Sequence, residues 1–163
     1  MQVFDSWAGE LSPHHFEQFS FPYIKQIAQS VRQRLKQEGL PDVPLVIFAK
    51  GAHESLDILS NCGYDVVSLD WTIDPKRARE ETKNNVTLQG NADPGILYGT
   101  PEVIRQEVDQ MFQRFGTTRW IANLGHGMQP DHTPEGLHAF LSAIVSFVNN
   151  FGLALIFIER KLG

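Results

Sequence analysis

A chain of 163 residues with a formal charge of -5 and a pI near 5.6 lacks the basic face that neutralising phosphates requires, which argues against a nucleic-acid partner. Its 42% hydrophobic content is enough for the core of one domain, and no low-complexity stretch or linker divides it. No signal peptide and no apolar run of the roughly 20 residues a membrane span needs is read, so no membrane partner is expected, and the single cysteine, Cys62, suits a reducing, cytoplasmic setting.

The chain opens on a short apolar run, Gln2-Val3-Phe4, that stops at Asp5-Ser6. Ser12-Pro13 then joins a capping residue to a proline at the first helical position, where the missing amide costs nothing. Ile24, Ile27, Ala28, Val31 and Leu35 recur at helical spacing and predict an amphipathic helix closed by Gly39. A second apolar run, Leu45 to Ala49, stops at Lys50-Gly51, and Cys62-Gly63 stands where the next helix should end. The third run, Val66 to Leu69, stops at Asp70, before a helix start at Asp74-Pro75.

Val86 to Gly90 forms a fourth run and meets Asn91, after which Asp93-Pro94 again has the form of a helix start. Thr100-Pro101 begins a helix whose stripe is Val103, Ile104, Val108, Met111, Phe112 and Phe115, with Gly116 at its end. A fifth run, Trp120 to Leu124, enters Gly125-His126-Gly127. Thr133-Pro134 opens the last helix, striped by Leu137, Phe140, Leu141, Ile144, Val145 and Val148. Residues 1–150 read as one domain and 151–163 as a divergent apolar tail. That tail either packs as a terminal strand or helix, or stands exposed with Glu159, Arg160 and Lys161 as gatekeepers.

Apolar β-branched runs alternating with amphipathic helices predict parallel βα units, whose strands are buried on both faces. In such folds the chemistry sits at the carboxyl ends of the strands. Five units do not close a (β/α)8 barrel, which takes about 250 residues. The choice is between an open sheet and part of a barrel.

Several residues at strand ends bear chemistry. His126 stands between two glycines that would permit a sharp turn and the close approach of a flat ligand. Asp5, Asp70, Asn91 and Asp93 are expected to cap the helices that follow rather than act as an acid and base pair. His14, His15, His53, His132 and His138 are expected to be solvated or helical. Lys50 ends a strand where Schiff-base aldolases keep their nucleophile, which defines a rival enzymatic reading. Zinc would want cysteine and histidine converging on one face, and Cys62 stands away from the strand ends, so no metal is expected.

Five blocks taken in order carry a more specific signal: Phe4-Asp5-Ser6-Trp7-Ala8-Gly9, Ile47-Phe48-Ala49-Lys50, Leu69-Asp70-Trp71, Thr87 to Pro94, and Ile121 to Gly127. Together they resemble the carboxyl-terminal half of the uroporphyrinogen decarboxylase family, from residue 1 to about residue 148. The resemblance implies a partial (β/α)8 TIM barrel of about five of eight parallel units. It implies a homodimeric enzyme of haem synthesis that converts uroporphyrinogen to coproporphyrinogen without metal or organic cofactor. It also implies substrate contacts at Ser6, through its hydroxyl, and at His126, with Phe4 an apolar wall of the same cleft.

Removing carbon dioxide from an acetate on a pyrrole leaves electrons that need a sink, and a ring protonated at carbon provides a cationic one. The site must then supply a proton, an anion beside the cationic ring, and donors to the remaining carboxylates, away from bulk water. The family's arginine-rich motif, its central aspartate and its catalytic tyrosine have no counterpart in this chain, so no catalytic residue is assigned and the chain alone is expected to be inactive. A non-catalytic partner or dominant-negative fragment of the full-length enzyme is the alternative expectation.

Overall fold

Strand formation follows the apolar runs. In the computed structural model, which describes residues 1–150, the strands are β1 (Gln2–Asp5), β2 (Val46–Ala49), β3 (Val66–Ser68), β4 (Thr87–Ala92) and β5 (Trp120–Leu124). The helices are α1 (Pro13–Phe19), α2 (Phe21–Gln37), α3 (Leu56–Leu59), α4 (Pro75–Glu81), α5 (Pro101–Phe115) and α6 (Pro134–Asn150). The tail expected at 151–163 lies outside the described residues.

All five strands pair in parallel in the order β1-β2-β3-β4-β5. A doubly wound sheet reverses its strand order at a switch point, whereas a barrel adds each strand beside the last. The sheet is therefore five consecutive units of a (β/α)8 barrel, and the open-sheet alternative falls.

The register shows which face the helices cover. Val3, Ile47, Val67, Leu88 and Trp120 lie in one row across the sheet, and Ile47, Val67 and Leu88 are at most 1% exposed. The neighbouring row, Phe4, Phe48, Ser68, Gln89 and Ile121, points to the other face, where Phe4 is 65% exposed. Side chains alternate along a strand, so Phe4 stands on the side that a barrel turns inward. A bond from Gln89 Nε2 to Ser68 Oγ, 3.1 Å, crosses that inner face.

Helix starts are set by the capping residues the sequence offers. The Ser12 hydroxyl accepts from the His15 amide at 3.3 Å, Asp74 from Lys76 at 2.8 Å, and Thr133 from Gly136 at 3.2 Å. Each such cap contributes about 1 kcal/mol. Asp93 accepts from the Gly95 amide at 2.8 Å and opens only a short 3-10 turn, Pro94–Tyr98, ahead of α5. At the end of α2, Gly39 takes φ +65° while the Leu40 amide bonds back to the Leu35 carbonyl at 2.8 Å, the closing bond of a Schellman turn.

The helical stripes are wider than the faces they bury. Ile27, Val103, Leu141 and Val145 all stand exposed, between 39% and 51%. For α6 the reason is position: it follows the edge strand β5 and packs mainly on α5 and on the 3-10 turn Pro94–Tyr98. Phe112 stacks on Phe147 at 3.7 Å across that α5–α6 contact, and Phe115 stacks on Trp120 at 4.7 Å. Among the described residues no helix is long and apolar enough to cross a membrane.

Candidate active-site rim

The carboxyl ends of the strands feed five loops, and backbone contacts tie these loops together. After β1, the Asp5 carboxylate accepts from Ser20 Oγ at 2.5 Å and from the Trp7 amide at 3.3 Å, which holds the Ser6 turn against the start of α2. The Gly9 amide donates to the Lys50 carbonyl at 2.7 Å, and a Cβ on Gly9 would stand 2.8 Å from the Gly51 Cα. The loops after β1 and β2 thus meet backbone to backbone, with glycine on both sides of the closest approach. Ser6 is left exposed at the turn.

Asp70, 3% exposed, braces the next pair of loops. It accepts from the Gly51 amide at 2.7 Å, from the Thr72 hydroxyl at 2.6 Å and from the Thr72 amide at 2.9 Å. Burial pushes its pKa up, but the bonds from His53, Thr72 and Gly51 outweigh that and hold the carboxyl well below the usual range. His53 opens a short 3-10 turn, His53–Ser55, and is half-buried, with Nε2 2.6 Å from Thr72 Oγ1 and 3.3 Å from Asp70, so it is helical as expected but bonded rather than solvated. Asn91 is buried and donates to the carbonyls of Asp70 and Ile73, each at 2.9 Å. Asp93 caps the turn that follows it, as expected, whereas Asp5, Asp70 and Asn91 bond across loops instead of capping the next helix.

Beyond these braces lies a cleft of about 310 Å³, lined by Lys50, Trp71, Asp93, Tyr98, His126 and His132 among others. The His126 ring meets the Trp71 indole edge-on at 5.9 Å, and its Nδ1 lies 3.3 Å from the Gly127 carbonyl. Lys50 Nζ stands 5.8 Å from the centre of the same indole. A ring face attracts a cation, whereas a Schiff-base lysine must react as the neutral amine, so the aldolase reading of Lys50 is not favoured.

The flanking glycines serve the site unequally. Gly125 packs so closely on the Trp71 backbone that a Cβ would fall 2.5 Å from its amide nitrogen, while Gly127 has nothing within 4 Å of such an atom. Neither has a positive φ. The closeness of two loops, rather than a left-handed turn, calls for the first glycine.

His132 is the residue that sequence reasoning misplaced. It is 7% exposed rather than solvated, its Nδ1 accepts the Gln129 amide at 3.0 Å, and its ring lies 4.4 Å from that of Tyr98. Tyr98 in turn donates its hydroxyl to Asp131 at 2.8 Å; that bond raises the tyrosine pKa and lowers the aspartate's. Two adjacent residues, Asp131 and His132, therefore clamp the His126 loop to the 3-10 turn after β4. Only the Thr133-Pro134 helix start next to His132 was visible in the sequence, and it carries no sign of burial. His14, His15 and His138 are exposed.

Ser6, Phe4 and His126 occupy one rim of one sheet, but the cleft at His126 includes neither Ser6 nor Phe4. They lie on or directly after the two edge strands, β1 and β5. Among the described residues no three His, Cys, Asp or Glu side chains form a metal-ligand group.

Sequential parallel βα units with polar side chains gathered at the strand carboxyl ends define part of a (β/α)8 barrel, the class of fold whose sites are built on that rim. A structural neighbour agrees on the fold: a methyltransferase from Methanosarcina mazei superposes with a TM-score of 0.73 at 22% identity, covering 90% of this chain and 41% of its own. The family model for uroporphyrinogen decarboxylase (URO-D) matches residues 1–147. The uroporphyrinogen decarboxylases of Homo sapiens and Salinibacter ruber are each 51% identical over 144 residues, 88% of this chain. That of Danio rerio is 50% identical over the same length. The chain belongs to the uroporphyrinogen decarboxylase family, and it spans 39% of the length of these relatives.

Proposed function

We propose that the protein acts as a uroporphyrinogen decarboxylase, a cofactor-independent carboxy-lyase that takes uroporphyrinogen to coproporphyrinogen in porphyrin synthesis. The observation that carries this reading is the family match, running through every strand and rim loop described above. In this reading His126 and Ser6 donate to carboxylate arms of the macrocycle from the two edges of the rim, and Phe4 walls the inner face. A barrel sheet curves about its axis, which turns β1 and β5 toward a common interior.

The rim is open to solvent, and its donors to carboxylates would gain strength as a bound ligand displaces that water. No described residue is assigned as the acid that protonates the pyrrole. The reading extends to a homodimer in the cytoplasm, supported by the family and by the lone buried thiol of Cys62.

The complete gene product, incubated anaerobically with uroporphyrinogen, is expected to yield coproporphyrinogen, measured as coproporphyrin after oxidation. Absence of product would sink the reading. The 163-residue chain assayed by itself is expected to stay at background, since five βα units offer one wall of a barrel site. Turnover by the isolated chain would overturn that second expectation alone.

A further inference from the structure

The Trp71 indole is shared by two nitrogen-bearing side chains that reach it from different loops. Lys50 approaches the ring at 5.8 Å and His126 at 5.9 Å. The Lys50 backbone is held on both sides, its amide donating to the Asp5 carbonyl at 3.0 Å and its carbonyl accepting from Gly9 at 2.7 Å. Trp71 is fixed from below by its neighbour Asp70 and by the close backbone of Gly125. The lysine stem therefore leaves a backbone held on both sides and ends near the ring of a residue whose own backbone is closely packed.

The charge on that stem has no partner among the described residues. Lys50 enters no ion pair, and Asp93, the carboxylate that lines the cleft, is turned to the Gly95 amide at 2.8 Å. His126 cannot replace that charge by itself. Its Nδ1 is engaged with the Gly127 carbonyl at 3.3 Å, so a single ring nitrogen, Nε2, is left to meet a ligand. The standing cation of the cleft is Lys50.

We propose that Lys50 is a specificity-determining residue: its ammonium, with His126 beside it, receives one carboxylate arm of the substrate and lays that arm across the Trp71 indole. The inference rests on the porphyrinogen reading and deepens it, because it says which side chain makes this end of the rim select an anion over a neutral group. An ammonium already held near a ring face meets the arriving carboxylate in a charge-assisted bond that strengthens as the ligand displaces water from the open cleft.

The test compares Lys50→Met, which keeps the stem and drops the charge, with Lys50→Arg, which keeps the charge, in the complete gene product. Lys50→Met is expected to raise KM for uroporphyrinogen about tenfold or more, and Lys50→Arg to recover most of that loss. Binding of uroporphyrin, the unreactive oxidised ligand, is expected to weaken by a similar factor in Lys50→Met. Binding of its neutral octamethyl ester should not change between the two variants.

An unchanged uroporphyrin affinity and KM in Lys50→Met would overturn the proposal while leaving the decarboxylase reading intact. Absence of turnover in the unsubstituted protein would sink that reading instead, and the comparison of uroporphyrin with its ester would still decide the role of Lys50. Should Lys50→Met fail to fold by circular dichroism, Lys50→Gln carries the same comparison.

Discussion

The Asp70 carboxylate and the Gly51 amide, 2.7 Å apart, tie the loop after β3 to the loop after β2. The same carboxylate holds Thr72 through both its amide and its hydroxyl, so one buried anion orders the backbone beneath both Lys50 and Trp71. Asp70→Ala takes the partner from two part-buried amides, and the expected cost is about 1–3 kcal/mol in urea unfolding. An effect below about 0.5 kcal/mol would show that water replaces the carboxylate without loss.

Acid should act through the same group. The folded pKa of Asp70 lies well below its unfolded value of about 3.9, so its contribution is complete above roughly pH 5 and fades as pH falls toward the folded value. The stability of the unsubstituted protein is expected to drop between pH 5 and pH 2, with a visibly shallower slope in Asp70→Asn. Parallel pH profiles for the two proteins would remove Asp70 from that account.

His132 invites a local rather than a global measurement. Its Nδ1 accepts the Gln129 amide, which places the proton of the neutral ring on Nε2, and that nitrogen is buried without a partner among the described residues. Replacing the ring by leucine removes a bonded acceptor and an unsatisfied donor together, so the two effects on global stability offset one another. Amide exchange at Gln129 separates them. His132→Leu is expected to speed that exchange at least tenfold, and His132→Asn, which keeps an acceptor, to restore part of the protection. Unaltered exchange in His132→Leu would mean that the loop is held by the Tyr98–Asp131 bond alone.

Much of this architecture was legible before any coordinates. The cap and proline pairs at Ser12, Asp74, Thr100 and Thr133 begin four helices because the capping bond is local and depends on residues three positions apart. The strands were equally plain, since burial on both faces leaves continuous apolar runs at Leu45–Ala49 and Val66–Leu69. What could not be read was pairing at long range. Nothing local distinguishes His53 or His132 from the exposed His14 and His138; what separates them is a Thr72 hydroxyl 19 positions away, or a tyrosine ring delivered by another loop. The cleft escaped for the same reason, being assembled from the ends of four different strands.

Gly125 and Gly127 look equivalent in the sequence and are expected to differ in their tolerance of a side chain. A Cβ on Gly125 meets the backbone of Asp70 and Trp71, at 2.9 and 2.5 Å, and backbone atoms cannot swing aside as the end of a side chain can. The Gly125 amide also bonds to the Ala92 carbonyl at 2.7 Å, so moving the loop away strains the β4–β5 pairing. Gly125→Ala should cost about 2–3 kcal/mol, whereas Gly127→Ala, with open space around it, should stay within about 0.5 kcal/mol. Thermal unfolding of the two variants side by side gives the comparison. Equal losses would show that both positions serve the turn itself rather than the approach of the Trp71 backbone.

Ser6 and His126 follow the two edge strands β1 and β5, four strand spacings apart, or about 19 Å along the sheet. If each meets a different carboxylate arm of one large ligand, neither removal changes what the other side chain touches. Substitutions beyond about 10 Å with no shared partner add to within about 0.5 kcal/mol. The expected outcome for Ser6→Ala, His126→Leu and the double variant is therefore multiplicative: the rise in uroporphyrin Kd in the double variant equals the product of the single rises. A smaller combined effect, by more than about 1 kcal/mol, would mean that the two residues grip the same arm, which four intervening strand spacings do not allow unless the sheet closes far more tightly than a (β/α)8 barrel. The cycle thus measures the curvature of the rim as well as the role of each side chain, and it does so from binding alone.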